Sequence, residues 1–188
     1  MELTHVALAE GNCAVRIDGP LSKHTVLLLP GAGDSAAVYD GVCERLHNSD
    51  LRTIVPEDIT GLDDRSIMAL LDELKVGWVN LAGSREGAGL AWSLAARQFG
   101  RFASLVVADR GHPAAPDSEG VVRGSDCPPV ELPTTVMVGS PDRRAEADAS
   151  GRFVYSDFRV VQLDGVANIP ASAPAELATE IVLRTSPW

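Results

Sequence analysis

Histidine is the side chain best suited to passing a proton back and forth near neutral pH, and this 188-residue chain has four: His5, His24, His47 and His112. None follows His112, so the C-terminal part of the chain holds no imidazole. His112 opens an irregular stretch and reads as an exposed loop histidine. Three cysteines, Cys13, Cys43 and Cys127, form an odd, scattered set without a CxxC pair, which reads as reduced thiols and no metal site. Cys43 falls in an apolar-periodic helical segment, where burial as a small hydrophobe is expected, and Cys127, in the loop SDCPP, is expected to be exposed with nothing to activate it. Two glycine clusters follow apolar runs: Gly31-Ala32-Gly33 after TVLLLP, and Gly83-Ser84-Arg85-Glu86-Gly87 after VGWVNLA. Glycines so placed let a backbone turn sharply and be approached closely. At the centre of the second cluster stands Arg85, a permanent cation that cannot accept a proton.

Those clusters need elements to hold them. Residues 4–9 and 13–18 alternate around the polar pair Glu10-Gly11, the pattern of an opening β-hairpin. Residues 25–30 are nearly all apolar, as in a strand buried on both faces. AAVYDGVCERLH has helical spacing with Ser35 or Asp34 as N-cap. RTIVPED reads as a strand, and SIMALLDELK as a helix capped by Ser66. Residues 76–83 form a strand leading through Ser84-Arg85-Glu86-Gly87 into the helix AGLAWSLAARQF. SLVVAD, TTVMVGS and FRVVQLDG are further strands, with an irregular Pro/Gly/Asp-rich stretch over residues 110–133, and a closing helix spans residues 174–184. Strands alternating with helices after a leading hairpin predict an α/β fold, a mostly parallel central sheet with helices on both faces. Ligands of such sheets gather at the carboxyl ends of the strands, here just after Leu29, Ala82, Ala108, Val138 and Leu163.

The length fits one domain over residues 1–188, and a hydrophobic share of 45% with 22% charged residues is that of a soluble globular protein. A formal net charge of −10 argues against nucleic acid or an anionic membrane surface as partner. No apolar run is long enough to span a bilayer, and MELTHVALAEGN lacks the basic start of a secretory signal, so the cytoplasm is the expected compartment. No pattern sets an oligomeric state, and no cofactor is implied.

NLAGSREGAGLAWSLA, TTVMVGSPDRR and VVQLDGVANIPASAPAELATEIV together resemble the α/β-hydrolase superfamily, through its esterase, lipase and epoxide-hydrolase-like branch. The first resembles that family's strand–elbow–helix, G-x-nucleophile-x-G. Gly83 and Gly87 match the glycines and Arg85 the nucleophile. Ser84 would be the nucleophile only in a frame flanked by Ala82 and Glu86, which puts an acid where a small residue is needed. The second segment implies Asp142 at the catalytic acid's position, and the third implies Asn168 at the histidine's. Pro30-Gly31-Ala32-Gly33 stands where relatives carry an oxyanion loop, so the resemblance implies a two-donor nest from the N–H groups of Ala32 and Glu86. Residues 110–133 are too short for the helical cap that relatives often insert.

A serine hydrolase needs a base that takes the nucleophile's proton and returns it to the leaving group. Neither arginine nor asparagine does this. The resemblance therefore implies a hydrolase-like fold with a degenerate triad at Arg85, Asp142 and Asn168: a pseudoenzyme acting as a non-catalytic ligand-binding or regulatory domain. Its candidate ligand-binding residues are Gly31, Ala32, Ser84, Arg85 and Glu86, and a small anionic ligand or a protein partner at the cleft is the expected occupant. An Arg85–Asp142 ion pair is expected, with Glu86 and Asp109 as competing partners. One alternative is a weak or atypical esterase-like hydrolase. Another is a dinucleotide-binding oxidoreductase, because Gly31-Ala32-Gly33-Asp34-Ser35-Ala36 fits G-x-G-x-x-A between a strand and a helix, with Glu57-Asp58 ending the next strand.

Overall fold

Glu2–Leu8 (β1) and Gly11–Asp18 (β2) pair antiparallel, Val6 opposite Cys13, in the computed structural model of the chain, which describes residues 1–9 and 11–185. Of the turn expected at Glu10-Gly11, Glu10 lies outside the described residues. The other strands are Thr25–Leu29 (β3), Arg52–Pro56 (β4), Val79–Ser84 (β5), Phe102–Ala108 (β6), Thr134–Val138 (β7) and Phe158–Gln162 (β8). They complete one eight-stranded sheet in the order β1-β2-β4-β3-β5-β6-β7-β8. Only the pairings β1–β2 and β2–β4 are antiparallel; from β4 to β8 the sheet is parallel. This is the α/β arrangement that the sequence predicts.

The apolar run of β3 shows why the strands lie in the middle. Successive side chains of a strand point to opposite faces. Leu27 and Leu29 join one core with Ile67, Leu70 and Leu71 of helix Asp64–Glu73 (α2) and Ala88, Ala91 and Trp92 of helix Glu86–Arg97 (α3). Val26 and Leu28 join the other core, with Val42 and Leu46 of helix Asp40–Asn48 (α1) and Leu177, Ala178 and Ile181 of helix Pro174–Thr185 (α6). All four β3 residues are fully buried, and each contributes about 1.5–3 kcal/mol of transfer free energy. Two short helices complete the chain, Arg144–Ser150 (α4) and Ile169–Ser172 (α5).

Local expectations are corrected at four places. The helix expected from Ala36 begins as a 3-10 turn, Ala36–Tyr39, and becomes α-helical only at Asp40; Ser35 caps the turn, its side chain accepting from the Ala37 N–H at 3.2 Å. Asp63, not Ser66, caps α2: its extended backbone aims the carboxylate at the Ser66 N–H and hydroxyl, both at 2.9 Å. Cys127 is buried while Cys43 is only partly so, the reverse of the expected exposures, because the segment carrying Cys127 folds back onto the core.

His112 is not an exposed loop residue. At 1% exposure it stacks on Phe153, ring centroids 4.7 Å apart, and meets Trp92 edge-on at 5.2 Å. Its Nδ1 accepts from the Ala114 N–H at 3.0 Å, so Nε2 carries the proton and donates to the Pro128 carbonyl at 2.8 Å. Burial holds its pKa below the usual histidine value. The imidazole thus pins the start of the 110–133 segment. Near its other end, Val130 bridges Val154. Between these points the segment carries no helix and no cap domain. No helix among the described residues is long and apolar enough to cross a membrane.

Candidate functional site

The β5–α3 junction is a tight turn at the sheet's carboxyl edge. A Cβ on Gly83 would lie 2.5 Å from the Gly87 carbonyl oxygen, and one on Gly87 would collide with the backbone carbonyls of Leu29 and Pro30. The two glycines thus let α3 start directly over β3 and β5. Between them Arg85 adopts φ 52° and ψ −121°, a region that L-residues enter at a cost of roughly 1–3 kcal/mol. The turn holds because the Arg85 N–H donates to Ala108 at the end of β6, and its carbonyl receives the Gly89 N–H, both at 3.1 Å.

The Arg85 side chain does not reach Asp142. Its Nη2 donates to the Ala167 carbonyl at 3.2 Å, and its Nη1 lies 3.9 Å from Asp34 of the β3–α1 loop. The expected Arg85–Asp142 pair is therefore corrected to Arg85–Asp34, with neither Glu86 nor Asp109 as the ion-pair partner. Asp142 sits exposed on the 3-10 turn Pro141–Arg143. Asn168 turns its side-chain oxygen to the Ala171 N–H, capping α5. The loops carrying all three residues meet at one cleft, lined by Arg85, by Ser140 and Arg143, and by Val166 and Ala167; neither Asp142 nor Asn168 lines it.

The expected two-donor nest is altered as well. The Ala32 N–H is taken by the carboxylate of Glu86 at 3.4 Å, so a side chain of the elbow itself covers one of the two donors. Gly31 packs against the elbow: a Cβ there would come within 3.3 Å of Arg85 and 3.0 Å of Asp34. The side on which a dinucleotide-type loop would use its missing side chain is thus filled by Arg85 and Asp34.

Ser84 is 3% exposed and does not line the cleft. The Tyr39 hydroxyl sits 2.9 Å from the Leu29 carbonyl and 3.1 Å from Ser84 Oγ. A phenol has one proton and a carbonyl can only accept, so Tyr39 donates to Leu29 and Ser84 donates to Tyr39. Burial drives the Tyr39 pKa far up, so this phenol accepts no role as a base.

The cleft has a volume of about 660 Å³, and its walls bring together four arginines that are distant in sequence: Arg85, Arg110, Arg123 and Arg143. Its two lining carboxylates are Glu86 and Asp109. Asp109 has φ 60° at the end of β6 and accepts from the Gly139 N–H at 3.0 Å; burial raises its pKa against the pull of that bond and of Arg143 and Arg85. Behind the wall, Glu146 is 4% exposed, accepts from the Gly111 N–H at 2.9 Å, and lies 3.6 Å from Arg123 and 3.7 Å from Arg143. Arg110, Arg123 and Arg143 were not singled out in the sequence. The available signal was position, since Arg110 and Arg143 follow closely on Ala108 and Val138, two of the expected strand ends.

No family model matches the chain, and no curated protein is similar to it in sequence. Its structure is similar to many solved ones. Epoxide hydrolase A from Mycobacterium thermoresistibile superposes with a TM-score of 0.81 at 12% identity, covering 98% of each chain. A hydrolase from Pseudomonas aeruginosa PA01 gives 0.78 at 17%, again over 98% of each. Haloalkane dehalogenase DbeA from Bradyrhizobium elkani USDA94 gives 0.77 at 14%, over 96% of each. Epoxide hydrolases of the alpha/beta hydrolases superfamily are among the matches. The chain therefore has the α/β-hydrolase fold. Identities this low establish the fold alone, because one fold serves many chemistries.

Proposed function

We propose that this protein is a non-catalytic α/β-hydrolase-fold domain that binds a small ligand in the cleft at the carboxyl edge of its sheet. The observation that carries the reading is Arg85 at the apex of the elbow, where a guanidinium can neither attack a substrate nor give up a proton. No imidazole lines the cleft, and Asp142 and Asn168 do not line it either. The competing reading, a weak hydrolase, is favoured by the elbow's backbone form and would have to use Ser84. Against it, Ser84 is buried and its proton is directed to Tyr39.

The test is labelling with a fluorophosphonate probe alongside turnover of short-chain nitrophenyl esters. We expect neither labelling nor a burst. Stoichiometric labelling abolished by Ser84→Ala would overturn the reading and make Ser84 a nucleophile.

A further inference from the structure

The cleft gathers positive charge in a chain whose formal net charge is −10. Arg85 comes from the elbow, Arg110 and Arg123 from the 110–133 segment, and Arg143 from the turn after β7. Four guanidinium groups around one space repel one another. The carboxylates that pair with three of them, Asp34 with Arg85, Asp117 with Arg123 and Glu146 with Arg123 and Arg143, do not line the cleft, whose own acids are Glu86 and Asp109. Glu146 is shared between Arg123 and Arg143 and also holds the Gly111 N–H. Arg123 has a second partner in Asp117 at 3.5 Å, and Arg143 donates to the Asp109 carbonyl at 3.0 Å. Glu86 is turned to the Ala32 N–H, and Asp109 to the Gly139 N–H.

Arg110 is the odd member. It is half-buried, lies along α3 where Gly89 leaves it room (a Cβ on Gly89 would stand 3.4 Å from Nη1), and makes no ion pair among the described residues. Burial is the main influence against its charge and the neighbouring Arg123 and Arg143 add to it, while Glu86 and Glu146 offset part of that cost. A partly desolvated cation beside other cations, with only distant carboxylates to offset it, gains from an anion seated among them. A cleft of about 660 Å³ falls within the size range of small-molecule sites.

We propose that the cleft binds a compact organic polyanion, its oxyanion groups gripped by Arg110 and Arg123 with Arg143 and Arg85 alongside. The shared chemistry is two or more oxyanion charges within the span of one small molecule, whether from phosphate groups or from a di- or tricarboxylate. Guanidinium groups suit both, since each offers a planar fork of donors to a pair of oxygens. This inference rests on the reading of the cleft as a binding site and gives that site its ligand class.

The test is isothermal titration calorimetry of the whole chain at low ionic strength with pyrophosphate, citrate and the monoanion acetate as probes. We expect saturable binding of pyrophosphate or citrate, with acetate weaker by at least about tenfold. Pyrophosphate alone would point to a phosphate source, citrate alone to a polycarboxylate. Arg110→Gln and Arg123→Gln should each weaken the bound probe by about tenfold or more, the loss of one charge-assisted contact, while Arg152→Gln on the exposed surface changes it less than about twofold. Should Arg110→Gln fold poorly by circular dichroism, Arg123→Gln, on a more exposed side chain, carries the test. No binding of either polyanion up to ~10 mM, or equal losses in Arg152→Gln, would overturn the proposal. Such a failure is separable from failure of the non-catalytic reading, which fluorophosphonate labelling decides with no anion present.

Discussion

The carboxylate of Glu86 lies 3.4 Å from the backbone nitrogen of Ala32, joining the first turn of α3 to the loop after β3. Two consequences follow from that contact. The Ala32 N–H, one of the two donors expected of the nest, is already covered by an anion of the protein's own. The cleft also keeps a negative charge that any incoming anion must oppose. Glu86→Gln removes the charge and weakens the cover. It should raise affinity for a polyanion by roughly three- to tenfold, the worth of about one hydrogen bond, read by calorimetry.

The strain at Arg85 gives a prediction about stability. With φ at 52°, any L-residue there meets the steric penalty of the left-handed region, and glycine does not. Arg85→Ala loses the bond to the Ala167 carbonyl and keeps the penalty, whereas Arg85→Gly loses the bond and sheds the penalty. We expect Arg85→Gly to be more stable than Arg85→Ala by about 1 kcal/mol, after allowing for glycine's looser unfolded chain. Urea midpoints compared at equal slope measure this, and the reverse order would show that the turn is not strained.

Gly87 tests the close approach of α3 to β3. Because a Cβ there would strike backbone carbonyls and no flexible side chain, the neighbours cannot move aside without breaking the elbow. Gly87→Ala should lower stability by about 3 kcal/mol or more, at the upper end of overpacking effects. Gly61→Ala serves as the contrast. Its Cβ would meet nothing within 4 Å and its φ is 78°, so the cost there is conformational, about 1–2 kcal/mol.

His112 sets a pH dependence. Its folded pKa is depressed by burial, so the unfolded chain binds the proton more readily than the native one. The native state is therefore favoured while the unfolded histidine is neutral, above its ordinary value of about 6.5, and that advantage is lost as pH falls through this value toward the folded pKa. Protonation would also turn Nδ1 from an acceptor of the Ala114 N–H into a donor facing it. Chemical denaturation at a series of pH values should show stability falling below about pH 6.5 with a slope of at most about 1.4 kcal/mol per pH unit from this group. His112→Gln, though less stable overall, should have a flatter profile in the same window. Identical slopes would exclude His112 as the titrating group.

The parts of the molecule readable in the sequence are those where one local pattern decides. The four apolar residues of β3, Val26 to Leu29, can only be a strand covered on both sides, and the glycines at 83 and 87 announce a tight junction whatever surrounds them. What the sequence hid depends on groups brought together from far apart. Arg85 is paired across the fold with Asp34, on the loop after a different strand, where spacing along the chain says nothing. His112 looked exposed because its neighbours are prolines, alanines and glycine, yet the rings that enclose it come from α3 and from the turn after α4. The arginines of the cleft look in sequence like separate surface charges, and only the strand order places Arg110, Arg123 and Arg143 around one opening. The cap of α2 failed for a smaller reason: two adjacent aspartates precede Ser66, and the first has the extended backbone that a cap requires.

The 110–133 segment is fastened at both ends, by the ring stack of His112 and by the Val130–Val154 bridge, while Arg123 near its middle is accessible. The amide after Arg123 donates to the Pro113 carbonyl at 2.9 Å, so a protease must first open that local contact, which lies between the two fastened ends. Trypsin cleaving after Arg123 would nick the chain without dividing the molecule. The N-terminal piece would still contribute β6 to the sheet and the C-terminal piece β7, its hydrogen-bonded neighbour. The expected product is a two-fragment complex that travels as one species on a sizing column and separates only in denaturant, which makes this segment a natural place to open the chain or to graft a reporter.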